Sequence, residues 1–203
     1  MDLPALLAVW AAFTLALISP GPNFALLLRI GLSSGRAAAL RTALGIIVGE
    51  AAWGFAALFG VAALALRYPV LGTAIRWAGG AFLLWLALGA LRSAWRGGQV
   101  DEPKSAGAAG GFWTGLALML LNAKAGFFWV SLTGVLLGPG LPLGTAGLAV
   151  GVAVLLSLMW HAFLALAFSG RRLTQLYARA RRGIEGLLGT ALAALGIKLL
   201  AAS

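Results

Sequence analysis

Six apolar stretches follow one another through this chain, each near or above the ~20 residues that cross a bilayer core. They run from Leu3 to Leu28, Ala43 to Leu66, Val70 to Leu91, Phe112 to Leu137, Leu143 to Phe168 and Ile184 to Ala202. Backbone N–H and C=O groups find no water in hydrocarbon, so such segments must form helices that satisfy their own hydrogen bonds. The sequence therefore predicts an all-α polytopic membrane protein with six transmembrane helices. Those spans use nearly all of the 203 residues, which predicts one transmembrane unit over 1–203. Its halves, 1–91 and 112–203, are joined by a linker over 92–111 that mixes glycine and serine with Asp101-Glu102-Pro103-Lys104, a flexible composition.

The first stretch is interrupted by Ser19-Pro20-Gly21-Pro22-Asn23. Each proline removes a backbone donor and clashes with the preceding turn, so the helical ladder must open here. Opened backbone at membrane depth is tolerated only where it lines a cavity or is covered by protein. In transporters, interrupted helices of this kind hold the substrate. Pro20, Gly21, Pro22 and Asn23 are accordingly the first candidate binding residues.

Composition narrows the chemistry. Only 10% of the residues are charged and 62% are hydrophobic, whereas soluble domains carry about 25% charge. With no cysteine and one histidine, the chain offers no disulfide framework and no thiolate metal site. No metal, cofactor or catalytic group is expected, and the chain is read as a non-enzyme. A G-x-x-x-x-G-K-[ST] sequence is absent, which excludes ATP hydrolysis by a P-loop. The net charge of +10 would suggest nucleic acid in a soluble protein. Here the basic residues gather between apolar runs, at Arg29, Arg36 and Arg41, at Arg92, Arg96 and Lys104, and from Arg171 to Arg182. Short loops rich in Lys and Arg stay cytoplasmic, so both termini are expected to face outward and no nucleic-acid partner is expected. Met1-Asp2 supplies no basic n-region, and the first stretch is read as a retained span.

Spans 1–3 and 4–6 would cross the bilayer in opposite senses, so similarity between them would constitute an inverted repeat. Gly45 and Gly49 align with Gly147 and Gly151, and Gly79 and Gly89 with Gly186 and Gly196. The alignment sets Ser19-Pro20-Gly21 against Asn122-Ala123-Lys124. Two inverted three-helix repeats are therefore expected, with helices 1 and 4 broken or kinked. Gly45, Gly49, Ala52, Ala56 and Gly60 form a small-residue stripe on span 2 that lets helices approach closely. Exposed stripes of this kind also suit a homodimer.

Ionisable residues inside a span cost ~2.5 to 3.5 kcal/mol at the bilayer centre and usually face a cavity or a partner. At 1.5 Å rise per residue, Asn23, Glu50 and His161 lie roughly 10 Å from the cytoplasmic ends of their helices and Lys124 roughly 18 Å. Glu50 is read as the only carboxylate within a span. It is the candidate for proton coupling or for binding a substrate ammonium, with a structural pair to Lys124 as the bland reading. Lys124, beyond easy snorkelling reach of a surface, is the candidate partner of an anionic group, and Asn122 beside it can donate and accept. His161 is an accessory candidate, a proton relay or a satisfied packing histidine. Helix N-terminal amides after Pro22 suit a carboxylate. A zwitterion such as an amino acid carries both charges that such a cavity could read.

With these residues in view, the chain resembles the LysE/RhtB family of amino-acid exporters. The resemblance rests on Ile18-Ser19-Pro20-Gly21-Pro22-Asn23, on the array Gly31, Gly35, Gly45, Gly49, on the run from Ala78-Gly79-Gly80 through Trp85 to Gly89, and on Asn122-Ala123-Lys124. It covers all six spans. The family pattern has proline where this chain has Ala123, so span 4 is expected to be broken or merely bent. The resemblance implies a secondary transporter in the bacterial cytoplasmic membrane, exporting amino acids or closely related metabolites and driven by the proton gradient or another coupling ion. Two other readings compete: a membrane scaffold without transport, and an intramembrane hydrolase using His161 as base with Ser157 or Ser169. The hydrolase reading is weakened in the sequence because no carboxylate is placed near the histidine.

Overall fold

The computed structural model describes residues 3–19, 21–61, 67–96, 110–136, 143–167 and 171–201. These residues form helices throughout: α1 (Leu3–Ile18), α2 (Pro22–Phe55) with a π-helical continuation (Ala56–Val61), α3 (Pro69–Arg96), α4 (Phe112–Leu120), α5 (Ala123–Leu136), α6 (Leu143–Ala167) and α7 (Arg171–Ala201). Four helical segments are long and apolar enough to cross a membrane, namely Pro22–Gly60, Val70–Arg96, Gly147–Ala167 and Arg179–Ala201. The α4–α5 pair, bent by 61°, makes a fifth candidate span, and α1 is a shorter apolar helix.

Two boundaries differ from the sequence reading, for one reason. The arginine-bearing segment after span 1 is helical and belongs to α2, whose backbone leaves helical geometry only at Gly35 (φ 80, ψ 177). A positive φ is open to glycine because it has no Cβ to clash. Phe24, Leu27 and Ile30 before this point share one buried cluster with Ala39, Ala43 and Ile46 after it. The last helix likewise starts at Arg171 rather than Ile184. Arginine is a good helix former, so basic segments extend helices that the apolar pattern alone would have ended.

Both expected breaks are present. At the first, α1 ends at Ile18, Gly21 is extended (φ −135, ψ −173), and Pro22 opens α2. Proline suits a first helical position, where its missing N–H would have no partner anyway. Pro20 lies outside the described residues. At the second, no proline is needed. Asn122 Oδ1 accepts the N–H of Ala125 at 3.3 Å, the side-chain bond of a helix N-cap. The carbonyl of Met119, freed at the end of α4, receives the Trp53 indole N–H at 3.2 Å and the Asn122 N–H at 3.2 Å. Opened backbone thus finds protein partners, as hydrocarbon demands.

The helices pack as two groups. α3 and α7 lie along each other, and α2 packs on α4 and α6. Among the described residues the half-helices α1 and α5 bridge these groups: α1 touches α6 and α7, and α5 touches α3 and α2. Close approach is set by glycine. A Cβ at Gly45 would collide with the backbone carbonyl of Phe112, and one at Gly115 with that of Thr42, so α2 and α4 meet backbone to backbone. Gly80 and Gly196 do the same for α3 and α7, where a Cβ at Gly196 would lie 3.0 Å from the Gly80 carbonyl oxygen. The stripe on span 2 is split: Gly45 and Gly49 are buried against α4, whereas Ala52, Ala56 and Gly60 are exposed. Phe13, Leu83, Phe128, Trp129, Leu132 and Leu192 form a core across α1, α3, α5 and α7.

Candidate functional site

A cavity of about 490 Å³ lies between the two helix groups, and both breaks border it. That volume falls in the usual range for small-molecule sites. Gly21, Pro22, Asn23, Glu50, Asn122, Lys124 and His161 all line it, so every described candidate from the sequence shares one space. Phe13, Leu86, Phe128 and Leu192 supply apolar wall, while Arg92, Ser93 and Arg181 line it from the arginine-rich ends of α3 and α7.

The polar network differs from the sequence reading in four places. Glu50 does not pair with Lys124. Its hydrogen-bond partner is Ser157, whose Oγ donates to Oε2. Ser157 Oγ is also 3.0 Å from Nδ1 of His161, and Nδ1 lies 3.0 Å from the Ser157 carbonyl oxygen. A carbonyl only accepts, so we assign the hydrogen of this imidazole to Nδ1. The one Nδ1 hydrogen is then shared between the carbonyl and hydroxyl oxygens of Ser157, and the Ser157 hydroxyl hydrogen goes to Glu50. All three residues are buried. His161 is therefore a buried, satisfied histidine that also joins a chain to Glu50, a link absent from the sequence reading.

This geometry also bears on the hydrolase reading, which assumed no carboxylate nearby. One is present, but it holds the serine and not the histidine. A nucleophilic serine gives its proton to the base, whereas Ser157 gives its proton to Glu50 and receives from Nδ1–H. Ser169 lies outside the described residues.

The third correction concerns Glu185. It is buried on α7, lines the cavity, and accepts the Ser19 hydroxyl at 3.0 Å. Glu50 is thus not the only carboxylate in a membrane-length helix. Glu185 stands second in the expected sixth span, beside the arginine cluster, where it reads as part of a loop. Fourth, Lys124 is exposed at the start of α5 rather than enclosed, and it lines the cavity.

Asn23 donates its amide N–H to the Met119 sulfur at 3.6 Å, and its buried Oδ1 has no hydrogen-bond partner. A buried acceptor without a donor costs about 1–3 kcal/mol, so Asn23 gains from any donor brought within its reach. No group of three or more His, Cys, Asp or Glu side chains able to hold a metal occurs among the described residues.

The LysE type translocator family model matches residues 14–203 of the chain. The chain belongs to this family. Relatives include the threonine efflux protein of Escherichia coli (strain K12), 28% identical with 96% of each chain covered. The leucine efflux protein of Enterobacter sp. (strain 638) is 33% identical, covering 89% of this chain and 87% of the relative. The uncharacterized membrane protein YahN of Escherichia coli (strain K12) is 30% identical, covering 93% of this chain and 85% of the relative. No solved structure matches. Family membership, together with the apolar helices of α2, α3, α6 and α7, makes the chain a multi-pass membrane protein of a translocator family.

Proposed function

We propose that this translocator exports amino acids or closely related zwitterionic metabolites from the bacterial cytoplasm, using the proton gradient. The observation that carries the reading is the single cavity at both helix breaks, which gathers Glu50, Glu185 and Lys124 among apolar walls. The efflux relatives supply the substrate class, and the mixed charge suits a molecule bearing both an ammonium and a carboxylate. Gly21, Pro22, Asn23, Asn122 and Lys124, with Pro20 from the sequence motif, form the substrate site. Glu50 acts as the coupling carboxylate. A proton taken up at Nε2 of His161 leaves from Nδ1–H to Ser157 Oγ, and the Ser157 hydroxyl proton passes to Glu50 Oε2, so one proton enters and one arrives.

The two halves act as an inverted pair under alternating access. A break after α1 and one after α4, at aligned positions of the two halves, support that relation. Arg92 and Arg181 at the cavity mouth support cytoplasmic access, since positive loops stay inside. Both termini then face outward.

Reconstitution in proteoliposomes with an imposed pH gradient tests the reading. Wild-type protein should drive labelled L-leucine or L-threonine against its gradient. Glu50→Gln should abolish uphill movement while exchange of internal for external amino acid persists. Pumping by Glu50→Gln at the wild-type rate across pH would reject the coupling role, and absence of transport of any standard amino acid by wild type would reject the exporter reading.

A further inference from the structure

Glu185 has no role in the relay, yet it faces the same cavity with nine-tenths or more of its surface buried. A carboxylate held at such depth needs charged or hydrogen-bonding partners. Its hydrogen-bond donor is the neutral hydroxyl of Ser19, at 3.0 Å, reaching from the α1–α2 break to α7. A hydroxyl can rotate away at little cost. The groups that line the cavity from the other elements are Glu50 on α2, Arg92 on α3, Lys124 on α5 and His161 on α6, with Arg181 one turn before Glu185 on α7. Arg181 and Lys124 are the cations within electrostatic reach of Glu185. Lys124 forms no ion pair with it and stays exposed, leaving its ammonium available to an anionic ligand group.

Two residues that line one space therefore carry acceptors with room for a further donor: Glu185, whose carboxylate is capped by an exchangeable hydroxyl, and Asn23, whose Oδ1 is buried with no partner and reaches a donor once the amide turns. An ammonium carries three donors and no acceptor, so it fits where acceptors stand unfilled. Glu50 fits that task less well, because Ser157 already engages it within the chain to His161.

Resting on the exporter reading above, we propose that Glu185, assisted by Asn23, receives the ammonium group of the substrate while Lys124 receives its carboxylate. Binding exchanges the Ser19 hydroxyl for the substrate ammonium at Glu185. The link between the α1–α2 break and α7 is thereby released when the site fills, so occupancy frees the element that alternating access must move. Recognition and coupling are assigned to different carboxylates.

The test compares L-leucine and L-threonine with their 2-hydroxy acid analogues, which keep the carboxylate and side chain but lack the ammonium, in proteoliposomes of the full chain. Wild type should favour the amino acids. Glu185→Gln should raise KM for the amino acids on the order of tenfold or more, the loss expected for a charge-assisted hydrogen bond. It should also bring the amino-acid to hydroxy-acid preference toward unity, while transport still responds to the pH gradient. An unchanged preference in Glu185→Gln would overturn the assignment while leaving the exporter reading intact. Wild-type protein that transports neither amino acids nor hydroxy acids would instead sink the exporter reading itself. Should Glu185→Gln fail to fold, Ser19→Ala decides the matter. It keeps the carboxylate and removes the competing donor, so the amino-acid preference should persist with a KM at or below wild type; loss of that preference would overturn the assignment.

Discussion

Within the Glu50–Ser157–His161 chain, the serine is the residue on which direction depends. Its hydroxyl accepts from His161 Nδ1–H and donates to Glu50 Oε2, so it can pass a proton in one concerted step without bearing a charge. Ser157→Ala removes that link and leaves the buried Glu50 without its donor, a cost of about 1–3 kcal/mol in stability. The expected phenotype is a folded protein that exchanges amino acids but no longer accumulates them with the pH gradient, whereas Ser157→Thr restores the hydroxyl and the coupling. Gradient-driven uptake by Ser157→Ala at the wild-type rate would remove the serine from the proton path. Glu50 and His161 were legible in the sequence because ionisable groups stand out in an apolar run. Ser157 was legible only as a nucleophile candidate beside His161; its bond to Glu50 was not, since a serine in a membrane helix can satisfy itself on its own backbone and carries no outward sign of a partner on another helix. Glu185 was hidden by its neighbours: the arginines around it blur the point where the apolar helix begins.

Among the elements, the breaks and the glycine contacts were legible to different degrees. Proline flags the first break directly, because its ring forbids a continuous helix. The second depends on Asn122 capping α5, which the sequence leaves open when Ala123 stands in the proline position; tertiary support from Trp53 to the Met119 carbonyl completes it. The aligned glycines of the two halves do not share environments. A Cβ on Gly45 would meet the carbonyl of Phe112, whereas Gly147 and Gly151 have open space around them. Spacing locates small residues but not which helix approaches them. This separates two substitutions of similar chemistry. Gly115→Val places a branched side chain against the Thr42 carbonyl, and neither backbone can yield without parting α2 from α4. Overpacking of this kind costs about 1–3 kcal/mol or more. Gly115→Val should lower the melting temperature in detergent markedly and reduce membrane yield, while Gly147→Ala should match wild type in both. Equal thermal stability of the two variants would mean that the α2–α4 contact does not require glycine.

For the whole molecule, the arrangement of two helix groups bridged by half-helices has a directional consequence. The cavity reaches Arg92 and Ser93 at one end of α3 and Arg181 on α7, while the Phe13, Leu83, Phe128 and Trp129 cluster occupies the core beyond the breaks. We read this lining as a space entered from the arginine-rich side and closed at the other by the aromatic cluster. Under the proposed orientation, in which positive loops stay inside, that side is cytoplasmic and the described conformation is the one open to it. Because the chain contains no cysteine, a single thiol can report this access without background. Ser93→Cys exchanges one atom on the cavity wall and touches neither the relay nor Glu185. Its thiol should react with a membrane-impermeant maleimide in inside-out vesicles and resist it in right-side-out cells. L-Leucine or L-threonine at saturating concentration should slow the labelling several-fold if either is the substrate, since an occupied cavity excludes the reagent. Labelling confined to right-side-out cells would reverse the assigned orientation. Equal labelling with and without either amino acid, in a preparation shown to transport that same amino acid, would separate this cavity from the substrate path.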